Sequence, residues 1–161
     1  MFLLLEFEHI IQVNDLGNEA ITVLTREQLW RGLALRAQEP DKFNQGLSCS
    51  YKSLSENEFL RTISTGESSF YERVVLTPEV KIHTETTGDS QQISAESTAE
   101  IEEPELNSLF VRFTYKRELG DNNSEINIGE HLKSAYVQID QDAIAMIRVL
   151  AESNLFDQAI N

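Results

Sequence analysis

The sequence has very little cysteine, and it has no long apolar run. Cys49 is the single cysteine among 161 residues, so no intramolecular disulfide can form. This usage is typical of a reducing compartment, and we expect a cytoplasmic protein. Residues 1–5 are apolar, but Glu6 and Glu8 follow at once and no basic residue precedes them. We therefore expect a first strand here rather than a signal peptide or a membrane span.

Basic residues are also scarce. The chain has 13 Lys and Arg against 27 Asp and Glu, which gives a formal net charge of -14. Nucleic-acid binding depends on Lys and Arg that displace counterions from phosphates, so we predict no nucleic-acid partner. The same negative charge disfavours an anionic membrane as a partner, and without a long apolar run we predict no insertion into a membrane. The acidic residues are spread along the chain, which is typical of a solvated surface rather than of an acidic docking tail.

The remaining composition is that of an ordinary globular domain. The chain is 40% apolar, and a chain of this length buries roughly two-thirds of its unfolded surface when it folds. We predict a single domain over residues 1–161. The sequence contains no glycine-rich phosphate loop, no GxSxG elbow and no HExxH motif, so we predict no cofactor and no metal site.

Hydrophobic periodicity predicts the order of the elements. Residues 7–15 alternate between two faces, which indicates a strand. Thr25 and Gln28 have the spacing of a capping box and predict the start of a helix, which Pro40 ends. From residue 50 to residue 117 the period is two, and turn residues separate the runs, as in an antiparallel meander. Residues 127–150 return to a helical period, and Asn127 is a candidate cap.

This order predicts an α+β fold. We expect a curved antiparallel sheet around a long C-terminal helix, with another helix inserted after the first strand. One predicted strand has small side chains on its inner face, at Ala95, Ser97 and Ala99, and its hairpin partner has aromatic ones. Small facing residues leave space, which a concave ligand-binding sheet needs.

Five stretches carry a resemblance to a known family: FEHIIQVND, LTREQLWRGLALRAQEP, FYERVVLTP, IEEPELNSLFVRFTY and QIDQDAIAMIRVL. They resemble the AtaL-like proteins, a branch of the START-like SRPBCC superfamily, and the resemblance covers nearly the whole chain. It implies the START-like helix-grip fold. Members of the superfamily include lipid carriers, binders of hormones and secondary metabolites, and polyketide aromatase/cyclases. The resemblance therefore implies a hydrophobic cavity without fixing the chemistry inside it.

His9 is the first candidate site residue, because its predicted strand face is otherwise apolar. A histidine in this position is either a core residue that is hydrogen-bonded through its ring or a group that orients a ligand carbonyl or hydroxyl. The core interpretation is favoured.

Arg61 and Glu72 form a second candidate site. If residues 61–65 pair with residues 70–74 across the turn at Gly66, both side chains point to the same side, diagonally across two strands. A carboxylate buried alone is costly, so Glu72 either pairs with Arg61 or has a raised pKa and serves as a general acid or base. The structural ion pair is favoured.

Four aromatic residues complete the candidate site. Trp30 is expected to anchor the first helix and to border the pocket entrance. Phe113 and Tyr115 are expected to stack on a ligand, and Tyr136 is expected to add a hydroxyl at the mouth or floor of the cavity.

The leading hypothesis is a binding protein for a small hydrophobic or aromatic molecule, with burial as the driving force. The alternative is an enzyme of the aromatase/cyclase type, in which His9, Glu72 or a tyrosine moves protons in the same pocket. A third hypothesis, a module that presents the outer face of the sheet to a partner, is disfavoured by the scattered charge on that face. The sequence leaves the oligomeric state open, a homodimer included.

Overall fold

The computed structural model describes residues 3–87, 94–119 and 125–153. Within these ranges the chain forms seven strands and two long helices, and a short 3-10 turn at Pro40–Lys42. In chain order they are β1 (Leu3–Gln12), α1 (Arg26–Gln38), β2 (Leu47–Ser55), β3 (Glu58–Thr65), β4 (Ser68–Thr77), β5 (Lys81–Thr86), β6 (Ala95–Glu105), β7 (Ser108–Leu119) and α2 (Glu125–Glu152).

The strands form one antiparallel sheet in the order β1-β7-β6-β5-β4-β3-β2. Strands β2 to β7 are a meander, since each pairs with the next along the chain. Strand β1 pairs with β7 over its whole length, from Leu3 opposite Leu119 to Gln12 opposite Phe110. The first strand is therefore separated from its neighbour in the sheet by α1 and five other strands, as the predicted fold requires.

The two faces of the sheet differ in chemistry because side chains alternate along each strand. On β7, Leu109, Val111 and Phe113 are buried against the helices. Arg112, between two of them, points to the outer face and hydrogen-bonds Glu102 and Glu8. The inner face carries the core, and the outer face carries ion pairs.

Helix α1 begins with the predicted capping box. The backbone N–H of Gln28 donates to Oγ1 of Thr25 at 3.0 Å, and the Thr25 N–H donates to Oε1 of Gln28 at 2.9 Å. Gly32 faces α2 so closely that a Cβ there would lie 2.4 Å from Cγ2 of Ile147. The glycine thus lets the two helices touch, and their separation helps set the width of the space beside them.

Helix α2 lies across the concave face of the sheet. Its buried residues include Ala143, Ile144, Ile147 and Ala151. The predicted stripe also contained Ile139, which is 44% exposed. The predicted cap was also wrong, because α2 spans Glu125–Glu152 and Asn127 lies inside it.

Neither helix in the described part of the chain is long and apolar enough to cross a membrane.

Candidate functional site

A pocket of about 240 Å³ lies between α1, α2 and the inner face of the sheet. It lies where β6 carries small residues and β7 carries aromatic ones. This is the combination from which the sequence predicted a cavity. Its apolar wall consists of Leu33, Ala37, Ile82, Ala99, Phe113 and Ile139. Both helices and strands β5, β6 and β7 contribute these side chains, so the pocket depends on how the helices pack on the sheet.

Polar side chains also reach the pocket, and they come from both helices and from four strands. They include Arg36, Arg61, Thr84, Ser97, Tyr115 and Tyr136. A mostly apolar wall with a few polar groups is typical of small-molecule sites.

Asp140 of α2 organises one edge of this pocket. It is completely buried, and its Oδ1 accepts a hydrogen bond from Nη2 of Arg36 at 2.8 Å. Its Oδ2 accepts from the Tyr115 hydroxyl at 2.5 Å and lies 2.7 Å from Nε2 of His9. Because an ionised carboxylate only accepts hydrogen bonds, Nε2 of His9 carries the proton. Three donors from α1, β1 and β7 thus compensate one buried charge.

Tyr115 is held as a neutral phenol. Burial raises the pKa of its hydroxyl, and the charge of Asp140 raises it further, because a phenolate would be repelled by the carboxylate. Tyr115 is therefore a hydrogen-bond donor at neutral pH and is unsuited to act as a base. Its hydroxyl proton is directed at Asp140.

Aromatic rings are stacked along the same edge. The rings of Tyr115 and Tyr136 are nearly parallel, with centroids 3.9 Å apart. The His9 ring stacks on Phe113 at 5.2 Å, and the guanidinium carbon of Arg36 lies 5.9 Å from the centre of the Phe113 ring. These contacts restrict the side-chain rotamers and so preorganise the aromatic part of the pocket.

Arg61 and Glu72 form an ion pair, with 2.9 Å between Nε of Arg61 and Oε1 of Glu72. The predicted diagonal placement was wrong: the two residues are direct cross-strand partners, because residues 61–65 pair with residues 68–72. Arg61 also donates from Nη1 to the carbonyl oxygen of Ala37, at 2.7 Å. The guanidinium is thereby fixed at the C-terminal end of α1, and Glu72 is paired with it in this structure.

The structure brings four of the seven predicted site residues to the pocket wall: Arg61, Phe113, Tyr115 and Tyr136. The other three are not among its lining residues. His9 stands behind Phe113 and Tyr115 through its contacts, and Glu72 stands behind Arg61. Trp30 packs against the hydrophobic core as the anchor of α1.

Sequence reasoning missed Asp140 and Arg36. Asp140 follows Tyr136 by four positions and precedes Ala143 by three, so it falls on the buried stripe of α2. Arg36 likewise follows Leu33 by three positions on α1. A charged residue at an apolar helix position was the available signal, and here the two charges compensate each other.

A separate polar cluster lies on the outer face, at His83, Glu85 and Glu96, whose candidate ligand atoms lie within 4.8 Å of one another. Nε2 of His83 is 3.7 Å from Glu85 and 3.8 Å from Glu96, and its Nδ1 is 3.2 Å from the Thr98 hydroxyl. Partly exposed ion pairs of this kind contribute at most about 1 kcal/mol. We assign the cluster no part in the pocket, and the absence of a metal site stays a prediction.

Comparison with known families tests the family resemblance that the sequence suggested. The family described as AtaL, acetylaranotin biosynthesis cluster protein L, matches residues 11–154. The chain belongs to the AtaL family. A comparison of this AtaL-family chain with curated proteins finds no match.

Solved structures confirm the helix-grip fold of the AtaL-family chain. The di-domain ARO/CYC StfQ from the steffimycin biosynthetic pathway superposes with a TM-score of 0.72 at 10% identity, covering 94% of this chain and 52% of StfQ. The chain thus spans about half the length of that protein. The Zhui aromatase/cyclase from a Streptomyces species gives 0.63 at 8% identity, covering 95% and 96%. Norcoclaurine synthase from Thalictrum flavum gives 0.61 at 8% identity, covering 92% and 88%. At these identities the similarity concerns the fold alone.

Proposed function

We propose that this AtaL-family chain binds a small aromatic molecule in the pocket between α1, α2 and the sheet. The observation that carries the proposal is the pocket wall, in which Phe113, Tyr115 and Tyr136 present rings beside aliphatic side chains. Burial of an apolar ring in such a space is favourable by about 25 cal/mol per Å² removed from water. The ligand is therefore held by burial, and the polar groups orient it.

The volume of the pocket limits the size of the ligand. Its 240 Å³ lies between a cavity of about 150 Å³, which holds benzene, and the lower end of ligand pockets at about 300 Å³. A molecule of one or two fused rings fits this interval. A longer chain would extend beyond this volume.

The buried network defines the roles of the polar residues in this proposal. Tyr115 and Arg36 line the pocket, and Asp140 fixes both of them from behind. His9 is a positioning residue, because it acts on the pocket through Asp140 and through its stacking on Phe113. Glu72 has the same relation to Arg61. The ligand thus meets guanidinium donors and a phenol oxygen whose orientation is set before it binds.

An aromatase/cyclase-like enzyme in the same pocket is the second candidate. It is supported by the helix-grip relatives that carry that name, and it requires the Tyr115 hydroxyl to turn its one proton from Asp140 to a developing oxyanion. Two features favour binding alone. The volume is small for a reactive chain, and the one carboxylate of the network, Asp140, already accepts from three donors.

A blocking variant tests the binding proposal. Ala99 lines the pocket on β6, and Ala99→Phe would fill it, whereas Thr114→Phe places the same ring on the exposed outer side of β7. We expect naphthol to bind the unmodified protein and Thr114→Phe in an equilibrium titration, and binding to Ala99→Phe to fall at least about tenfold, equivalent to 1.4 kcal/mol. Equal affinity for all three proteins would contradict binding in this pocket.

The second candidate needs a different measurement. Native mass spectrometry of the purified protein can identify a compound that co-purifies with it. A compound recovered unchanged after incubation supports the binding function. Conversion of that compound, lost in Tyr115→Phe and kept in the Tyr51→Phe control, would establish the enzyme instead.

A further inference from the structure

We propose that the ligand carries a carboxylate, which the guanidiniums of Arg36 and Arg61 hold at the α1 end of the pocket. This inference rests on the proposed function, because it specifies the chemistry of the molecule that the pocket accepts.

The charge of the pocket wall is opposite to that of the chain. The sequence has 27 acidic residues against 13 basic ones. Among the described residues that line the pocket, however, the charged side chains are two arginines and no carboxylate. Acidic residues are in excess over the whole chain, but the charged side chains of the pocket wall are cationic. This arrangement is expected of a site that selects an anion.

The acidic partners of these arginines lie outside the pocket wall. Asp140 is completely buried behind Arg36, and Glu72 holds Arg61 without lining the pocket. Both carboxylates therefore keep the guanidiniums folded inside the protein at an acceptable electrostatic cost. The N–H groups of both guanidiniums that these carboxylates do not use are the donors that we assign to the ligand.

Both arginines lie at the C-terminal end of α1. Arg36 and Ala37 are neighbours on α1, and Arg61 donates to the carbonyl of Ala37. Within the described residues, Arg61 uses Nε and Nη1 in its hydrogen bonds, and Arg36 uses Nη2. A guanidinium has five N–H donors, so both retain donors for a ligand. The planar fork of arginine matches a carboxylate, which can accept two parallel hydrogen bonds.

The remaining wall fixes the rest of the ligand. Phe113 and the stacked pair Tyr115 and Tyr136 line the same pocket. A flat ring against these side chains, with its carboxylate at the arginines, uses both halves of the site. The ligand class is thus an aromatic carboxylic acid of one or two rings.

A matched pair of probes tests the proposal. Naphthoate and naphthamide, substituted at the same ring position, have nearly the same shape and differ in charge. We expect calorimetric titration at neutral pH to give naphthoate at least about tenfold higher affinity, since charge-assisted hydrogen bonds are roughly twice as strong as neutral ones. Arg61→Gln should reduce that preference several-fold. Arg112→Gln, which removes the same charge from the outer face, should leave it unchanged.

The outcomes separate this inference from the proposed function. If neither probe binds, the proposed function itself is overturned. If naphthamide binds as tightly as naphthoate, the pocket takes aromatics and only the carboxylate inference is overturned. If Arg61→Gln and Arg112→Gln weaken naphthoate equally, the preference comes from the overall field, and the assignment to Arg61 is overturned. Arg61→Lys retains the positive charge but lacks the planar guanidinium. Its folded yield shows whether the protein tolerates replacement of Arg61 if Arg61→Gln does not fold.

Discussion

The hydroxyl of Tyr115 lies 2.5 Å from Oδ2 of Asp140. This hydrogen bond joins β7 to α2, the helix that crosses the sheet. Asp140 also binds Arg36 of α1 and His9 of β1, so four elements meet at one buried carboxylate. The same contact forms an edge of the pocket. The position of α2 over the sheet, and hence the shape of the cavity, therefore depends on this residue.

Replacing Asp140 should destabilise the protein. Asp140→Asn removes the charge and leaves Arg36 without its buried partner, and breaking a buried pair on one side costs roughly 3–5 kcal/mol. We expect a loss of about 3 kcal/mol in the free energy of unfolding, measured by urea denaturation. Asp142→Asn, at an exposed position of the same helix, should change it by less than about 0.5 kcal/mol. Similar losses in the free energy of unfolding for both variants would contradict the organising role of Asp140.

The raised pKa of Tyr115 predicts a dependence of stability on alkaline pH. An unfolded tyrosine loses its proton near about pH 10, whereas the native state retains it at higher pH. The native state then binds more protons, so stability is full below that pH and falls above it, by up to about 1.4 kcal/mol per pH unit.

The measurement is urea unfolding between about pH 9 and pH 11.5. Tyr115→Phe should lose stability with a shallower slope than the unmodified protein over this range, because it lacks the titrating hydroxyl. Tyr51→Phe controls for the loss of one phenol at an exposed position. Parallel slopes for the unmodified protein and Tyr115→Phe would show that burial of this hydroxyl does not shift its titration.

Gly32 is expected to be intolerant of alanine. Its Cβ would lie 2.4 Å from Ile147, so Gly32→Ala forces α1 and α2 apart. Overpacking costs about 1–3 kcal/mol, which exceeds the gain of about 1 kcal/mol in helix propensity. Gly129→Ala in α2 meets Leu119 at 3.7 Å, an ordinary contact, and should stabilise by about 0.5–1 kcal/mol.

A double-mutant cycle assigns the cost at Gly32 to the contact between the helices. Ile147→Ala removes the atoms that an added Cβ would strike, so its combination with Gly32→Ala should show a favourable coupling of at least about 0.5 kcal/mol. Strict additivity of the two substitutions would show that another contact is responsible.

Much of the fold could be predicted because local signals agreed with the tertiary structure. The capping box at Thr25 and Gln28 was predicted from the sequence and is present in the structure. The two-residue period correctly identified the inner face of β7, at Leu109, Val111 and Phe113. These features depend on residues that are close together in the sequence, so a single sequence is enough to predict them.

The site was less predictable because its contacts join distant elements. The register across Gly66 depends on the length of the turn, and an error of two residues turned a direct pair of Arg61 and Glu72 into a diagonal one. Asp140 was overlooked because a carboxylate on an apolar stripe makes sense only when its partners are known. Those partners, Arg36 and His9, lie 104 and 131 positions away.

The most direct test of a ligand in this pocket is a methyl NMR titration with naphthamide, which avoids any effect of charge. The methyl groups of Leu33, Ile82 and Ile139 line the pocket, whereas Leu106 lies exposed at the turn between β6 and β7. The account predicts that the three pocket residues shift together and saturate with one dissociation constant, and that Leu106 does not shift. Unchanged pocket methyls at millimolar naphthamide, or shifts confined to the outer face, would contradict it.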